Sequence, residues 1–299
     1  MRIHGYGDAS VIRQDDLPRP AAGPGEVLIQ VAATSFNPSD IGLRRGLLRS
    51  VLPVDMPFTL GGEVAGTAVE VGSGVHTVSV GDRVIGRVVG AAAEYVTAAA
   101  DTLVAAPTAI PLAHAAAIPV AGVTAWQAVF EHARITPGQR VLVNGAGGGV
   151  GGFAVQLAKH ARAHVIATAG PRSAEAVRGF GADQIVDYTA APLADALDEP
   201  VDAVLHLVGG GAETLVPLVR PGGVVVSVTV PVEVPTGSPV TAVHFVVRND
   251  TGDLAALVEL VDAGAVRVDV TASRPLADLA SVHRDAEAGR TRGKIILVP

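Results

Sequence analysis

The run Val141-Leu142-Val143-Asn144 breaks into Gly145-Ala146-Gly147-Gly148-Gly149-Val150-Gly151-Gly152 and resumes as Phe153-Ala154-Val155-Gln156-Leu157-Ala158-Lys159. This order predicts a strand, a tight turn and a helix. Backbone N–H groups at a helix N-terminus attract anions, and glycine keeps side chains away from them. The chemistry on offer is retention of a pyrophosphate, and hence of a dinucleotide. Counted from Gly145, the first glycine after the strand, the spacing departs from G-x-G-x-x-G. The glycines three apart, Gly145, Gly148 and Gly151, are therefore the candidate contacts, with Gly149 and Val150 opening the helix.

A site for NAD places an acid at the end of the second strand to hold the ribose hydroxyls. That acid is missing. The strand 165–168 ends at Thr168 and runs into Ala169-Gly170-Pro171-Arg172-Ser173, where a guanidinium and a hydroxyl suit a 2′-phosphate. NADPH is favoured over NADH. The simpler alternative makes Ser173 a helix N-cap and Arg172 a solvated side chain. His160 and His164 are four apart, but with no cysteine or carboxylate arranged beside them they read as surface or packing residues, not metal ligands. No serine stands in a nucleophile elbow. Hydride transfer needs no such nucleophile, because the nicotinamide carries the chemistry.

These residues must be positioned by a fold of adequate size. At 299 residues, with 49% apolar and 17% charged, the chain can bury two large cores. Its net charge of −7 gives no general attraction for nucleic acid or an anionic membrane. The apolar run 115–130 is interrupted by Pro119, Gly122, Thr124 and Gln127 and is too short to span a bilayer. Cysteine is absent, which removes disulfides and thiolate metal sites. No cleavable apolar leader is evident, so the cytoplasm is the expected compartment.

The first third consists of short Val/Ile segments separated by Gly, Pro and Asp, such as 26–32, 64–72 and 81–86, which predicts a barrel-like β module. From about residue 115 strands and helices alternate. Strands are expected at 141–144, 164–168, 184–187, 203–208 and 224–229, with helices at 149–161, 173–180 and 212–219 between them. That is the pattern of a parallel, doubly wound α/β sheet. The tail holds a helix at 253–263 and a closing strand at 294–298, and is expected to rejoin the first module.

Several segments together carry a resemblance: Ser35-Phe36-Asn37-Pro38-Ser39-Asp40, Pro57-Phe58-Thr59-Leu60-Gly61-Gly62-Glu63-Val64-Ala65-Gly66, Ala116-Ala117-Ile118-Pro119-Val120-Ala121-Gly122-Val123-Thr124-Ala125-Trp126, the glycine turn, Gly181-Ala182-Asp183 and Gly289-Arg290-Thr291-Arg292-Gly293-Lys294-Ile295-Ile296-Leu297. In this order they resemble the zinc-free quinone oxidoreductases of the medium-chain dehydrogenase/reductase superfamily. The resemblance implies an α/β protein with a GroES-like β-barrel catalytic domain, 1–116 and 244–299, a Rossmann domain with a doubly wound parallel sheet, 117–243, and an active site in the cleft between them. Gly62 stands where zinc-dependent relatives carry a histidine, and cysteine is absent, so no metal is expected.

By the same resemblance Asn37 and Thr124 border the nicotinamide. Asp40 is either catalytic or the brace of the Asn-Pro turn. Tyr188 lies near the adenosine phosphate, Leu207, Val208 and Gly209 edge the cofactor, the backbone of Phe245 to Val247 reaches the carboxamide, and Lys294 lines the cofactor cleft. The implied activity is NADPH-dependent delivery of hydride to a quinone or an α,β-unsaturated carbonyl, with the proton taken from solvent, by a homodimer. Two alternatives stay open: an enoyl reductase of a lipid or polyketide pathway, and a non-catalytic NADPH-binding protein.

Overall fold

The computed structural model describes residues 1–190 and 192–299. They divide into two compact units, one of Met1–Val120, Asn249–Asp262 and Val270–Pro299, the other of Ala121–Arg248 and Ala263–Asp269. Residues 263–269 join the second unit through Arg267. Its N–H donates to Gln156 Oε1 at 2.7 Å, and its carbonyl accepts from Gln156 Nε2 at 3.0 Å.

In the first unit the strand Glu26–Ser35 is the spine, because it pairs with three others along its length. Val64–Val71 and Tyr95–Ala99 lie antiparallel to it, and its last two residues pair with Lys294–Val298. Arg83–Gly86 with Leu103–Ala105 extends one side of the sheet, and Val270–Pro275 extends the other. The enclosed core is largely β-branched, with Val27, Ile29, Val31, Val64, Val84 and Val96, the residue types that pack best on a pleated surface. The helix Pro38–Arg44 leaves the spine with Pro38 in its first turn, where a missing N–H costs nothing. The tail forms the expected helix, as Thr251–Asp262, and the expected strand. It also holds the strand Val270–Pro275 and the helix Leu279–Glu287.

The second unit is a six-stranded sheet, parallel throughout. Its order is Gln184–Val186, His164–Thr168, Arg140–Asn144, Val201–His206, Val219–Ser227 and Thr241–His244. Numbered along the chain this is 3-2-1-4-5-6, the order of a dinucleotide-binding fold, whose switch point lies beside the first strand. Val141, Leu142, Val143, Ile166, Val204, Leu205 and Val225 are fully buried, as strands covered on both faces require. The sixth strand, Thr-Ala-Val-His, is too short and too polar to be read from periodicity. The helix expected at 212–219 is instead two 3₁₀ turns, Ala212–Thr214 and Val216–Leu218. Pro217 lacks the N–H that would continue a helix and clashes with the preceding turn. Among the described residues no helix is long and apolar enough to cross a membrane.

Candidate functional site

The strand Arg140–Asn144 ends at the switch point, and the helix Gly149–His160 begins five residues later with Gly148 as its N-cap. No side chain caps that end, so its first N–H groups point into the turn unpartnered by a cap. Gly145 adopts φ +97°, and a Cβ there would lie 2.6 Å from Val208 Cγ1. Both facts demand glycine. A Cβ on Gly151 would overlap the Gly145 carbonyl oxygen, and one on Gly147 would overlap the Ser173 hydroxyl, whereas at Gly148 the nearest atom is an ordinary 3.4 Å away. Gly147, passed over in the spacing, is thus more constrained than Gly148. A side-chain-free cradle at a twelve-residue helix N-terminus fits a pyrophosphate.

The adenosine end is laid out around the second strand. The N–H of Ala169 donates to the Val186 carbonyl at 3.0 Å, which holds the turn 169–173 against the third strand. Ser173 occupies the N-cap position of the helix Ala174–Gly179 but makes no cap bond. Its hydroxyl instead donates to the Gly170 carbonyl at 3.3 Å. Arg172 is exposed, and Tyr188, also exposed, lies along Gly170, where a Cβ would come within 3.5 Å of its phenol oxygen. Arg172, Ser173 and Tyr188 therefore border one open turn that carries no acid.

On the other flank of the first strand, Leu207 donates its N–H to the Asn144 carbonyl at 2.9 Å, Val208 leans on Gly145, and Gly209 is exposed. Phe245 is buried, with its ring 4.1 Å from that of His132. Burial holds His132 below its ordinary pKa, opposed by Glu131 and reinforced by Arg248. Val247 is half-buried just beyond it. Thr124 is buried within the helix Pro119–Trp126.

In the first unit Asn37, Asp40 and Lys294 come together around a residue that motif spacing did not single out. Glu63 is wholly buried. Its Oε1 accepts from Ser35 Oγ, from Asn37 Nδ2 at 2.7 Å and from Lys294 Nζ at 3.0 Å, and its Oε2 accepts the Val120 N–H at 2.7 Å. Lys294, 3% exposed, also donates to Asn37 Oδ1 at 2.8 Å and to the Phe36 carbonyl at 3.3 Å. Three protons thus meet three protein oxygens. The Asn37 amide is held from both ends, which fixes its rotamer and its orientation.

Asp40 stands one turn into the helix Pro38–Arg44 and accepts the Asn37 N–H at 2.9 Å, bracing the Asn-Pro turn. Desolvation pushes its carboxyl up to about 7, against the Asn37 hydrogen bond and Lys294, which pull down, and with Glu63, which pushes the same way. The signal for Glu63 was its place in the sequence: one charge inside Gly61-Gly62-Glu63-Val64-Ala65-Gly66, where burial obliges a partner. Among the described residues no three His, Asp or Glu side chains converge as a metal ion would need.

Comparison with known proteins adds to this geometry. Residues 23–108 match the alcohol dehydrogenase GroES-like domain, and residues 180–297 match the family described as zinc-binding dehydrogenase. The chain is 35% identical to the chloroplast envelope quinone oxidoreductase homolog of Arabidopsis thaliana, covering 100% of this chain and 98% of that protein. It is 31% identical to the NADPH-dependent alkenal/one oxidoreductase of the same plant, over 98% of this chain and 78% of that one. The quinone oxidoreductase of Escherichia coli, solved in complex with NADPH, superposes with a TM-score of 0.91 at 27% identity, covering 100% and 99% of the two chains.

Proposed function

The chain belongs to the zinc-free quinone oxidoreductases of the medium-chain dehydrogenase/reductase superfamily, and from that premise we infer an NADPH-dependent reductase of quinones and α,β-unsaturated carbonyls. The observation that carries this reading is the side-chain-free cradle at the switch point, together with a second strand that ends at Thr168 and runs into a turn bearing Arg172 and Ser173 and no acid. Bound there, NADPH supplies hydride. The residues 145–151 would hold its pyrophosphate, Arg172, Ser173 and Tyr188 its 2′-phosphate and adenosine, and Leu207, Val208, Gly209, Phe245 and Val247 its nicotinamide half. Ala169 would shape the adenosine turn through its backbone.

We assign Asn37 to the acceptor carbonyl, where a pre-oriented donor steadies developing negative charge without reorganising, and Thr124 to the border of the nicotinamide. Lys294 acts through Asn37, because its own protons are already placed. Asp40, titrating near neutrality, is the acid we assign to protonation of the reduced acceptor, in place of solvent. The strand Thr241–His244 closes one edge of the sheet, and we take that edge as the contact of a homodimer. The cytoplasm stays our reading of the compartment, although relatives named for chloroplast and mitochondrion are among the matches.

The test is NADPH oxidation by the purified protein with a panel of quinones and enones, acyl thioesters serving as the comparison. Turnover with quinones and enones, and little with thioesters, is the expected outcome. Tight NADPH binding with no oxidation by any acceptor would overturn the reading. Light scattering of the same sample reads the oligomer.

A further inference from the structure

Three adjacent strands of the parallel sheet end in polar residues at one level: His164–Thr168, Arg140–Asn144 and Val201–His206. His206 is the direct cross-strand partner of Asn144, and Thr168 follows the Ala167–Val143 pair on the other side. All three side chains are joined. The Gly145 N–H donates to Thr168 Oγ1 at 2.8 Å, Thr168 Oγ1 donates to Asn144 Oδ1 at 2.9 Å, and Asn144 Nδ2 faces His206 Nδ1 at 3.0 Å. Thr168 and His206 are buried, so water does not replace these bonds.

The proton order follows from one fixed end. A backbone N–H can only donate, so Thr168 accepts from Gly145 and spends its single proton on Asn144 Oδ1. That turns the Asn144 amide nitrogen toward His206, whose Nδ1 must accept. His206 is therefore the neutral Nε2–H tautomer. Burial favours that neutral form by lowering its pKa, against opposing pulls from the Gly210 backbone and Glu213.

An apolar trio could fill the same space at no hydrogen-bonding cost. What the polar trio adds is a fixed peptide plane at Gly145, the residue with φ +97° at which strand becomes cradle. We propose that Thr168, Asn144 and His206 form a positioning relay that sets the Gly145 peptide for the pyrophosphate, with His206 its distal, tautomer-selecting member. The proposal rests on the NADPH reading above. Thr168 then serves the cofactor from behind the turn, through Gly145, and His206 becomes a determinant of affinity with no need to touch the ligand.

The experiment compares Thr168→Val with Thr168→Ser and His206→Leu with His206→Asn, the asparagine offering an acceptor where Nδ1 stands. NADPH and 2′-AMP, which lacks the pyrophosphate, are titrated against each purified protein, with thermal melts alongside. Thr168→Val and His206→Leu are expected to weaken NADPH about tenfold, the size of one lost buried hydrogen bond. The Ser and Asn variants should restore affinity to within about twofold of the parent. All four should bind 2′-AMP as the parent does. Unchanged NADPH affinity in Thr168→Val and His206→Leu overturns the relay, as does equal weakening of 2′-AMP, which would mark a general distortion of the sheet. Should Leu or Val prevent folding, the Ser and Asn pair decides: native melts and parental NADPH affinity support the relay, and a tenfold loss in either contradicts it. Failure of the parent itself to bind NADPH would strike the cofactor reading, a separate result.

Discussion

The glycine turn of one unit and the Glu63 cluster of the other both hold polar groups still inside apolar surroundings, by opposite means. At the turn the work is done by backbone conformation and neutral hydrogen bonds, with Gly145 at φ +97° and its N–H on Thr168. Around Glu63 it is done by a buried ion pair, Lys294 at 3.0 Å, with Ser35, Asn37 and the Val120 N–H donating to the same carboxylate. A conformational device fails sterically and locally. An ionic one fails through desolvation, because removing one charge strands the other. The two regions should therefore respond differently to substitution: the cluster in stability, the turn in affinity.

The largest expected effect is on the cluster. Lys294→Met leaves Glu63 buried and uncompensated, and should cost about 3–5 kcal/mol in chemical denaturation. The double variant Glu63→Gln/Lys294→Met should recover most of it, since an uncharged pair strands no ion. A single variant as stable as the parent would show that the pair is not the holding element. Next comes the turn: Gly145→Val sets a β-branched residue at positive φ against Val208, and should weaken NADPH by roughly tenfold or more while shifting the melt less than Lys294→Met does. Equal losses of stability in the two variants would erase the contrast.

Smaller again is the adenosine end. Arg172→Ala should lower kcat/KM for NADPH about tenfold and leave NADH unchanged, the signature of one charge-assisted contact. A parallel fall with both nucleotides would place Arg172 elsewhere. The mildest effect sharpens the ionic side. Asp40 is raised from 3.8 to about 7, so the folded protein holds this proton between those values and gives it up as pH rises through the upper one. Activity that depends on the protonated carboxyl should fall across about pH 7, and the associated stability should decline from about pH 4 to 7. Asp40→Asn keeps an acceptor for the Asn37 N–H and should abolish the activity limb; a limb that persists would assign it to another group.

The same contrast explains what could be read from the sequence. The turn is local: twelve consecutive residues carry strand, glycines and helix start, so motif and periodicity sufficed, and the strands flanking it follow from their apolar runs. The cluster is assembled from Ser35, Asn37, Glu63, Val120 and Lys294, distant in the chain, and spacing has no access to it. Asn37, Asp40 and Lys294 came from a family resemblance, which named the residues but not the carboxylate that gathers them. His206 was hidden for a related reason: it lies inside the strand expected at 203–208, where nothing in the spacing sets it apart, and only cross-strand register reveals that it faces Asn144. Pro217 did announce itself, and the helix expected at 212–219 gave it too little weight.

The most direct measurement is the steady-state oxidation of NADPH and of NADH by the unmodified protein with a simple quinone as acceptor. A kcat/KM at least about tenfold higher for NADPH is the result expected from a cradle followed by Arg172 and Ser173 in place of an acid. A preference for NADH, or no quinone reduction with either nucleotide, would contradict it.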